Sequence, residues 1–196
     1  MRISIITVPL IVFGMVSLGE SIRIQAKAVL AQLLIERAWE RSLESGADEA
    51  PWHWADTWPV AKLRFEQSGK SVIVLAGANG GSLPFGPSHI DGTAFPGEAG
   101  SSLIAGHRDT HFRLLKDINA GETILVQTRS GEWVPYIVES LDVVDSRQHP
   151  VWAFAHTRDE LQLITCYPFD ALAVGGPLRY IVTASRVTQT NGGNNL

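Results

Sequence analysis

The chain holds one cysteine in 196 residues. An internal disulfide is therefore impossible, and zinc sites that need two or four cysteines are excluded by count. Runs of five or six like charges are also missing: 16 Lys+Arg stand against 20 Asp+Glu, a formal net charge of -4. The electrostatic footprint of a nucleic-acid binder is thus absent. Low-complexity segments are lacking too, with 18 Gly and 10 Pro distributed through a chain that is 45% hydrophobic. At this length one core can bury roughly 70% of the unfolded surface without metal or disulfide support.

One long uncharged run is present. Residues 3–18, Ile-Ser-Ile-Ile-Thr-Val-Pro-Leu-Ile-Val-Phe-Gly-Met-Val-Ser-Leu, follow Arg2. As a helix they span roughly 24 Å against a bilayer core of about 30 Å, so a cleaved signal peptide competes with a retained anchor. The small-x-small pattern Ala26-Lys27-Ala28 lies beyond Glu20 and Arg23, poorly placed for cleavage. Residues 1–19 are accordingly read as a membrane anchor. Arg2 on one side and Arg23 and Lys27 on the other give little charge bias for orientation.

Residues 20–49 read as an amphipathic helix or stalk, with Ile22, Ala26, Leu30, Leu33, Leu34 and Ala38 at three- and four-residue spacing and Gly46 as a stop. Residues 50–60 form a Trp- and Pro-rich strap in which Trp52, Trp54 and Trp58 are expected to pack onto the domain. A carbohydrate-stacking platform would need interleaved acidic and amide groups, which the segment does not supply.

From Ala61 the pattern changes to period two. Lys62–Gln67 and Ser71–Ala76 flank Ser68-Gly69 as a hairpin with a two-residue turn. Gly77–Gly100 reads as a long surface loop; its Gly77–Ser82 lacks the Lys-Ser/Thr ending of a phosphate loop, and Gly86–Ile90 lacks the second glycine of a hydrolase elbow. Further strands are predicted at Ser102–Gly106, Glu122–Thr128, Glu132–Val144, Leu161–Cys166 and Arg179–Val187. Thr110 is expected to cap a helical turn through Leu115, and Thr157–Glu160 to form a capping box. Pro135 within a strand run indicates an edge or a bulge. Seven or so strands with short helices between them argue for an all-β fold, a closed or nearly closed antiparallel barrel over residues 61–188, followed by a polar tail at 189–196.

Three residues with complementary chemistry stand at strand ends: His107, Cys166 and Arg179. Groups at the rim of a strand scaffold are rigidly supported yet accessible. Leu161, Leu163 and Thr165 share one face of their strand, so Cys166 points to the other with Gln162 and Ile164. A thiolate nucleophile needs a cationic or hydrogen-bonding neighbour and a proton donor for its leaving group, roles open to arginine and histidine.

Leu163-Ile164-Thr165-Cys166-Tyr167-Pro168-Phe169 resembles the Thr-Leu-x-Thr-Cys motif of sortases, with Gln162 in place of its first threonine. Ile104–Phe112 is similar to the sortase catalytic-histidine strand in the form found in class D and proteobacterial (Gram-negative) groups, and Arg179 follows the cysteine on the next strand. The resemblance covers about residues 60–187. It implies an eight-stranded barrel behind a membrane anchor, with His107, Cys166 and Arg179 catalytic. Transpeptidation of a Leu-Pro-x-Thr-Gly-like sorting signal on an exported protein is the implied activity, with the acceptor amine unspecified. Thr165, Tyr167 and Asp170 are the expected substrate-binding residues, the last in a loop to Gly176 that would wall the groove. The implied location is the inner membrane, single-pass, with the catalytic domain in the periplasm.

Rival readings are weaker. His107-Arg108-Asp109-Thr110-His111 has the histidine spacing of a His-Glu-x-x-His zinc peptidase, but Arg108 replaces the glutamate. Papain-like enzymes place cysteine before histidine, and L,D-transpeptidases need a His-Gly before the cysteine that is absent here. A hydrolytic cysteine peptidase and a membrane-anchored, non-catalytic binding module remain as alternatives. His111 is placed beside the site rather than in it, Asp109 as a cap, and His53, His89, His149 and His156 as surface or packing residues. No acidic cluster or cofactor motif is present, so no metal and no cofactor are expected.

Overall fold

The computed structural model describes residues 7–148, 158–171 and 175–187. A single helix, α1 (Thr7–Ser45), occupies the first stretch. Its 39 residues extend roughly 58 Å at the α-helical rise. Gly14 and Gly19, each unfavourable by about 1 kcal/mol in a helix interior, do not interrupt it. The expected division near residue 20 is therefore no structural break. Among the described residues no helix is long and apolar enough to cross a membrane. The helix ends where Gly46 adopts φ +69° and returns its N–H to the Ser42 carbonyl at 3.0 Å, the left-handed termination that glycine permits.

Burial along α1 begins at Ala31 and continues through Ile35, Ala38, Trp39 and Ser42. Leu30 and Leu33, expected on the packed face, are 56% and 51% exposed. The sequence carries two overlapping apolar stripes. Docking selects the one bearing Ile35 and Trp39, whose side chains meet Ile73 and Leu75 on the outside of the sheet. Trp39 also donates its indole N–H to Gln127 Oε1 at 3.1 Å.

Eight strands follow: β1 (Pro59–Phe65), β2 (Lys70–Leu75), β3 (Ser88–His89), β4 (Ser101–Ala105), β5 (Thr123–Gln127), β6 (Trp133–Asp145), β7 (Glu160–Cys166) and β8 (Leu178–Arg186). They close a barrel in the order β1-β2-β3-β4-β7-β8-β6-β5, with β5 paired back to β1. A short 3-10 helix, Arg113–Asp117, lies between β4 and β5. Alternation sends Leu63, Phe65, Val74, Ile104, Leu163 and Val182 into one core with Phe112 and Leu115.

The barrel is not antiparallel throughout. β2 and β3 run parallel, as do β4 and β7. A parallel pair needs a long crossover, and the chain through β5 and β6 supplies it between β4 and β7. β3, two residues long, is too short for alternation to announce and lies inside the stretch read as loop. The β1–β2 connection also differs from a two-residue turn, because Phe65 faces Lys70 across residues 66–69. Pro135 faces Leu125 inside the β5–β6 ladder, β6 is paired on both sides, and its register shift falls later, between Val138 and Ser140.

The two expected caps have different outcomes. The 3-10 helix starts after Thr110, with Phe112 at its N-cap and no side-chain cap. Glu160 begins β7 instead of closing a capping box, and Asp159 Oδ1 accepts the Gly100 N–H at 2.8 Å; Thr157 lies outside the described residues. In the strap, Trp52 packs edge-on against Phe85 at 5.1 Å and Trp58 packs on the barrel core. Trp54 instead is 73% exposed, its ring against His53. Residues 189–196 lie outside the described residues.

Candidate active site

The parallel β4–β7 pair sets Ala105 beside Ile164. His107 and Cys166 each lie two residues further on, so one shared register carries both to the same rim of the barrel. On the other side β7 runs antiparallel to β8, and the last pair of that ladder is Cys166 with Arg179. Three residues far apart in the chain are thereby brought to one end of three neighbouring strands. Leu161 and Leu163 face the core, whereas Ile164 joins Leu103 and Ile181 on the outer face, the side on which Cys166 follows two residues later.

Cys166 is partly exposed and His107 exposed. Both line a cleft of about 330 Å³, with Arg108, Asp109 and Thr110 beside His107, and Pro84 and Gly175 on flanking loops. Asp109 is thus exposed in the cleft and caps nothing. Arg179 is half-buried, and its Nη1 donates to the carbonyls of Gly176 (2.7 Å) and Leu178 (2.9 Å). The guanidinium is thereby held over the turn into β8, and Arg179 does not line the cleft.

The rim is held by residues whose part was not read from the sequence. Gly106 donates its N–H to the Ile164 carbonyl at 3.0 Å, and its own carbonyl accepts the Thr165 hydroxyl at 2.7 Å. A Cβ at Gly106 would lie 2.6 Å from Cδ2 of Phe112, a fully buried ring. Only glycine lets the strand end approach the core so closely just before His107. Arg108 is buried and donates from Nη2 to the Ala171 carbonyl at 3.0 Å, tying the His107 turn to the loop after Cys166. Arginine is so seldom buried that nothing local in the sequence marks this role.

Thr165 and Tyr167 occupy the wall of the barrel rather than the cleft, because alternation turns both away from Cys166. Thr165 is 2% exposed and its hydroxyl serves Gly106. Tyr167 stacks on Tyr180 at 6.2 Å, and Phe169 meets both rings edge-on. Burial, and secondarily Tyr167 and Asp142, push the Tyr180 phenol up from its ordinary pKa, so that ring stays neutral. Asp170 is exposed and lies outside the cleft lining; of its loop, Gly175 reaches the cleft.

His111 is half-buried in a second, mainly apolar groove of about 450 Å³ between α1 (Lys27–Gln32) and Pro84–Phe85. Burial lowers its pKa, the nearby His107 lowers it further, and a hydrogen bond with the Pro84 backbone opposes both. Thr110 lines this groove as well as the cleft, so α1 passes beside the cleft and does not line it. His89 is a packing residue, 4% exposed, its Nε2 within 2.9 Å of the Ala94 carbonyl and its ring stacked on Phe95. His53 is on the surface, and His149 and His156 lie outside the described residues. Among the described residues no group of three or more His, Cys, Asp or Glu could hold a metal ion.

The barrel and its motifs can be set beside known proteins. The family described as "Sortase domain" matches residues 63–187. Sortase D of Bacillus subtilis (strain 168) is 32% identical over 126 residues, which cover 64% of this chain and 63% of that relative's length. Sortase A from Corynebacterium diphtheriae superposes with a TM-score of 0.59 at 26% identity, covering 73% of this chain and 67% of that one. The Clostridium perfringens sortase D5 transpeptidase gives a TM-score of 0.58 at 23% identity, over 78% of this chain and 89% of its own, a likeness of fold. The family match spans most of the barrel and includes His107, Cys166 and Arg179, and the chain belongs to the sortase family.

Proposed function

We propose that the protein is a cysteine transpeptidase whose thiol, Cys166, takes an acyl group from a sorting signal of the Leu-Pro-x-Thr-Gly kind on an exported protein and passes it to an amine. The observation that carries this reading is the meeting of His107, Cys166 and Arg179 at one rim through the β4–β7 and β7–β8 registers. In the first half-reaction Sγ attacks the threonine carbonyl carbon, a C–S bond forms, and the C–N bond to glycine breaks. His107 delivers the proton that the departing amine needs; imidazole is the side chain suited to proton exchange near neutral pH. In the second, the acceptor amine attacks the thioester, gives a proton to His107, and the thiolate departs. Splitting one amide exchange in two replaces one difficult step with two easier ones and holds the acyl group until an amine arrives.

Arg179 is assigned to the negative oxygen of the tetrahedral intermediates, a task for a permanent, planar donor. Its Nη1 hydrogen bonds to Gly176 and Leu178 require the guanidinium to turn toward Cys166 when substrate enters. The apolar run at residues 3–18 supports retention as a membrane anchor, and the resemblance to class D and proteobacterial sortases supports an inner-membrane location with the barrel in the periplasm. N-terminal sequencing of the mature protein tests that part: a chain starting near Val29 rules it out.

The chemistry is tested by mass spectrometry of the protein mixed with a signal peptide and no amine. An adduct of the acyl fragment on Cys166 is expected. Transfer retained by Cys166→Ala would exclude the mechanism. An activated thioester, whose leaving group needs no proton, should restore acylation to His107→Ala and fail to restore it to Arg179→Ala; the opposite pattern would exchange the two roles.

A further inference from the structure

We propose that the depression lined by Lys70, Arg113 and Lys116 binds an anionic group, carboxylate or phosphate, carried by the amine that receives the acyl chain. The inference rests on the transpeptidase reading and adds the chemical class of its acceptor. The depression has a volume of about 480 Å³ and lies between the start of β2 and the segment running from Thr110 into the 3-10 helix. Its cations converge for a geometric reason. Arg113 and Lys116 are three residues apart in a 3-10 helix, where side chains at i and i+3 eclipse, so both project from one side. Lys70, the first residue of β2, lines the same depression.

The charges there lack comparable opposition. Among the described residues neither Lys70 nor Arg113 makes an ion pair, and the single carboxylate in the lining is Asp117. Lys116 Nζ stands 4.0 Å from Asp117 Oδ1 with both side chains largely exposed, an arrangement that solvent leaves nearly without value. His111, also in the lining, has its pKa lowered by burial and opposes an anion with no negative charge of its own. Three cations gathered in one concavity, in a chain of formal net charge -4, create a local field that an anion would relieve and that would steer it inward. The Ser71 and Thr110 residues of the lining add hydroxyl donors, and the Arg113 guanidinium can meet a carboxylate or phosphate with two parallel hydrogen bonds.

Location selects the acceptor. Thr110 lines both this depression and the cleft that holds His107 and Cys166, so the two are neighbours that share a wall. Acyl transfer to an amine is the reverse of acylation by an amide, so the incoming amine must take the departing amine's place on the His107 side. An anion carried by that amine on the Thr110 side would be met by Lys70, Arg113 and Lys116 across the shared wall.

The test combines direct binding with a choice between acceptors, using the full chain. Inorganic phosphate and O-phosphoethanolamine are titrated while backbone amide resonances are followed. Saturable shifts confined to residues 70–72 and 110–117 are expected, weakened about tenfold for each charge removed in Lys70→Gln, Arg113→Gln and Lys116→Gln. Lys70→Arg and Lys116→Arg should retain them. Acceptor pairs then distinguish the two anions: glycine against glycinamide, and O-phosphoethanolamine against ethanolamine. The ratio of aminolysis to hydrolysis of the thioacyl form should favour the charged member of at least one pair by about tenfold, and the preference should vanish in the Gln variants. Equal binding by wild type and the triple Gln variant overturns the site. Thioacyl formation and turnover without preference for either charged amine overturns the acceptor role and leaves the transpeptidase reading intact. Anion binding with no thioacyl formation has the converse meaning: the site stands, and the enzyme reading beneath its acceptor role fails.

Discussion

The rim that carries Cys166 and the first two-thirds of α1 come from equally regular stretches of sequence, yet they differ in what holds them. At the rim, Gly106 is bonded to Ile164 and Thr165, Arg108 to Ala171, and Cys166 faces Arg179 across a ladder. Along α1 the apolar side chains of Phe13, Leu18, Ile24, Val29 and Leu30 are exposed, and among the described residues the first buried one is Ala31. A repeating pattern is enough to specify an element. Placing a nucleophile beside its proton carrier demands contacts from other parts of the chain, and the rim has them.

The contrast is broken most severely within α1 itself. Trp39→Ala removes a ring that packs with Ile35, Ile73 and Leu75 and donates to Gln127, and should destabilise the fold by about 3–5 kcal/mol in urea denaturation. Leu30→Ala, on the exposed stripe, should stay within about 0.5 kcal/mol of wild type. Equal losses would mean that both stripes are packed.

At the rim, Gly106→Ala forces a methyl against the buried Phe112 ring. The overpacking should cost about 1–3 kcal/mol. Because His107 is the next residue, peptide cleavage should fall even at temperatures where the variant is fully folded. Wild-type turnover in the folded variant would show that this close approach does not position the histidine.

Thr165→Val keeps the shape and removes the donor to the Gly106 carbonyl. A loss of about 1–2 kcal/mol is expected, with a lower kcat in cleavage and little change in KM, since the hydroxyl is turned away from the cleft. A change confined to KM would return Thr165 to the substrate-binding role read from the sequence.

The smallest effect concerns His111. Burial disfavours its charged form in the folded chain, so the unfolded chain takes up the proton first as pH falls. The His111 contribution is therefore level above the ordinary histidine pKa of about 6.5, declines as pH drops below it, and levels again beneath the lowered folded value. His111→Gln should flatten that part of the Tm-against-pH curve. Parallel curves for the two proteins would remove His111 as the source.

Much of the site was legible because its markers are chemical and local. A lone thiol after an alternating strand, a histidine at a strand end and an arginine opening another are visible without partners. Alternation alone placed Cys166 on the face opposite Leu161 and Leu163, and the packing agrees. Thr165 and Tyr167 show the limit of the same reasoning. Both were expected to bind substrate, but period two sends the immediate neighbours of Cys166 to the opposite face, where Gly106 and Tyr180 take them up. Arg108 and Gly106 escaped notice because their importance lies in burial against Ala171 and Phe112, residues that the chain delivers from elsewhere.

By itself the sequence determined that a helix precedes a β-barrel, that seven of the strands lie where alternation runs, and that His107, Cys166 and Arg179 stand at strand ends. Those properties depend on backbone periodicity and side-chain chemistry, which neighbours within a few residues express. Tertiary structure decided that β4 and β7 lie side by side in parallel, that β3 completes the ring, and that Ile35 and Trp39 rather than Leu30 and Leu33 dock α1. Strand neighbours and helix faces are chosen by competition among surfaces distant in the chain, and the winner is the arrangement that buries the most apolar area while pairing every ladder hydrogen bond.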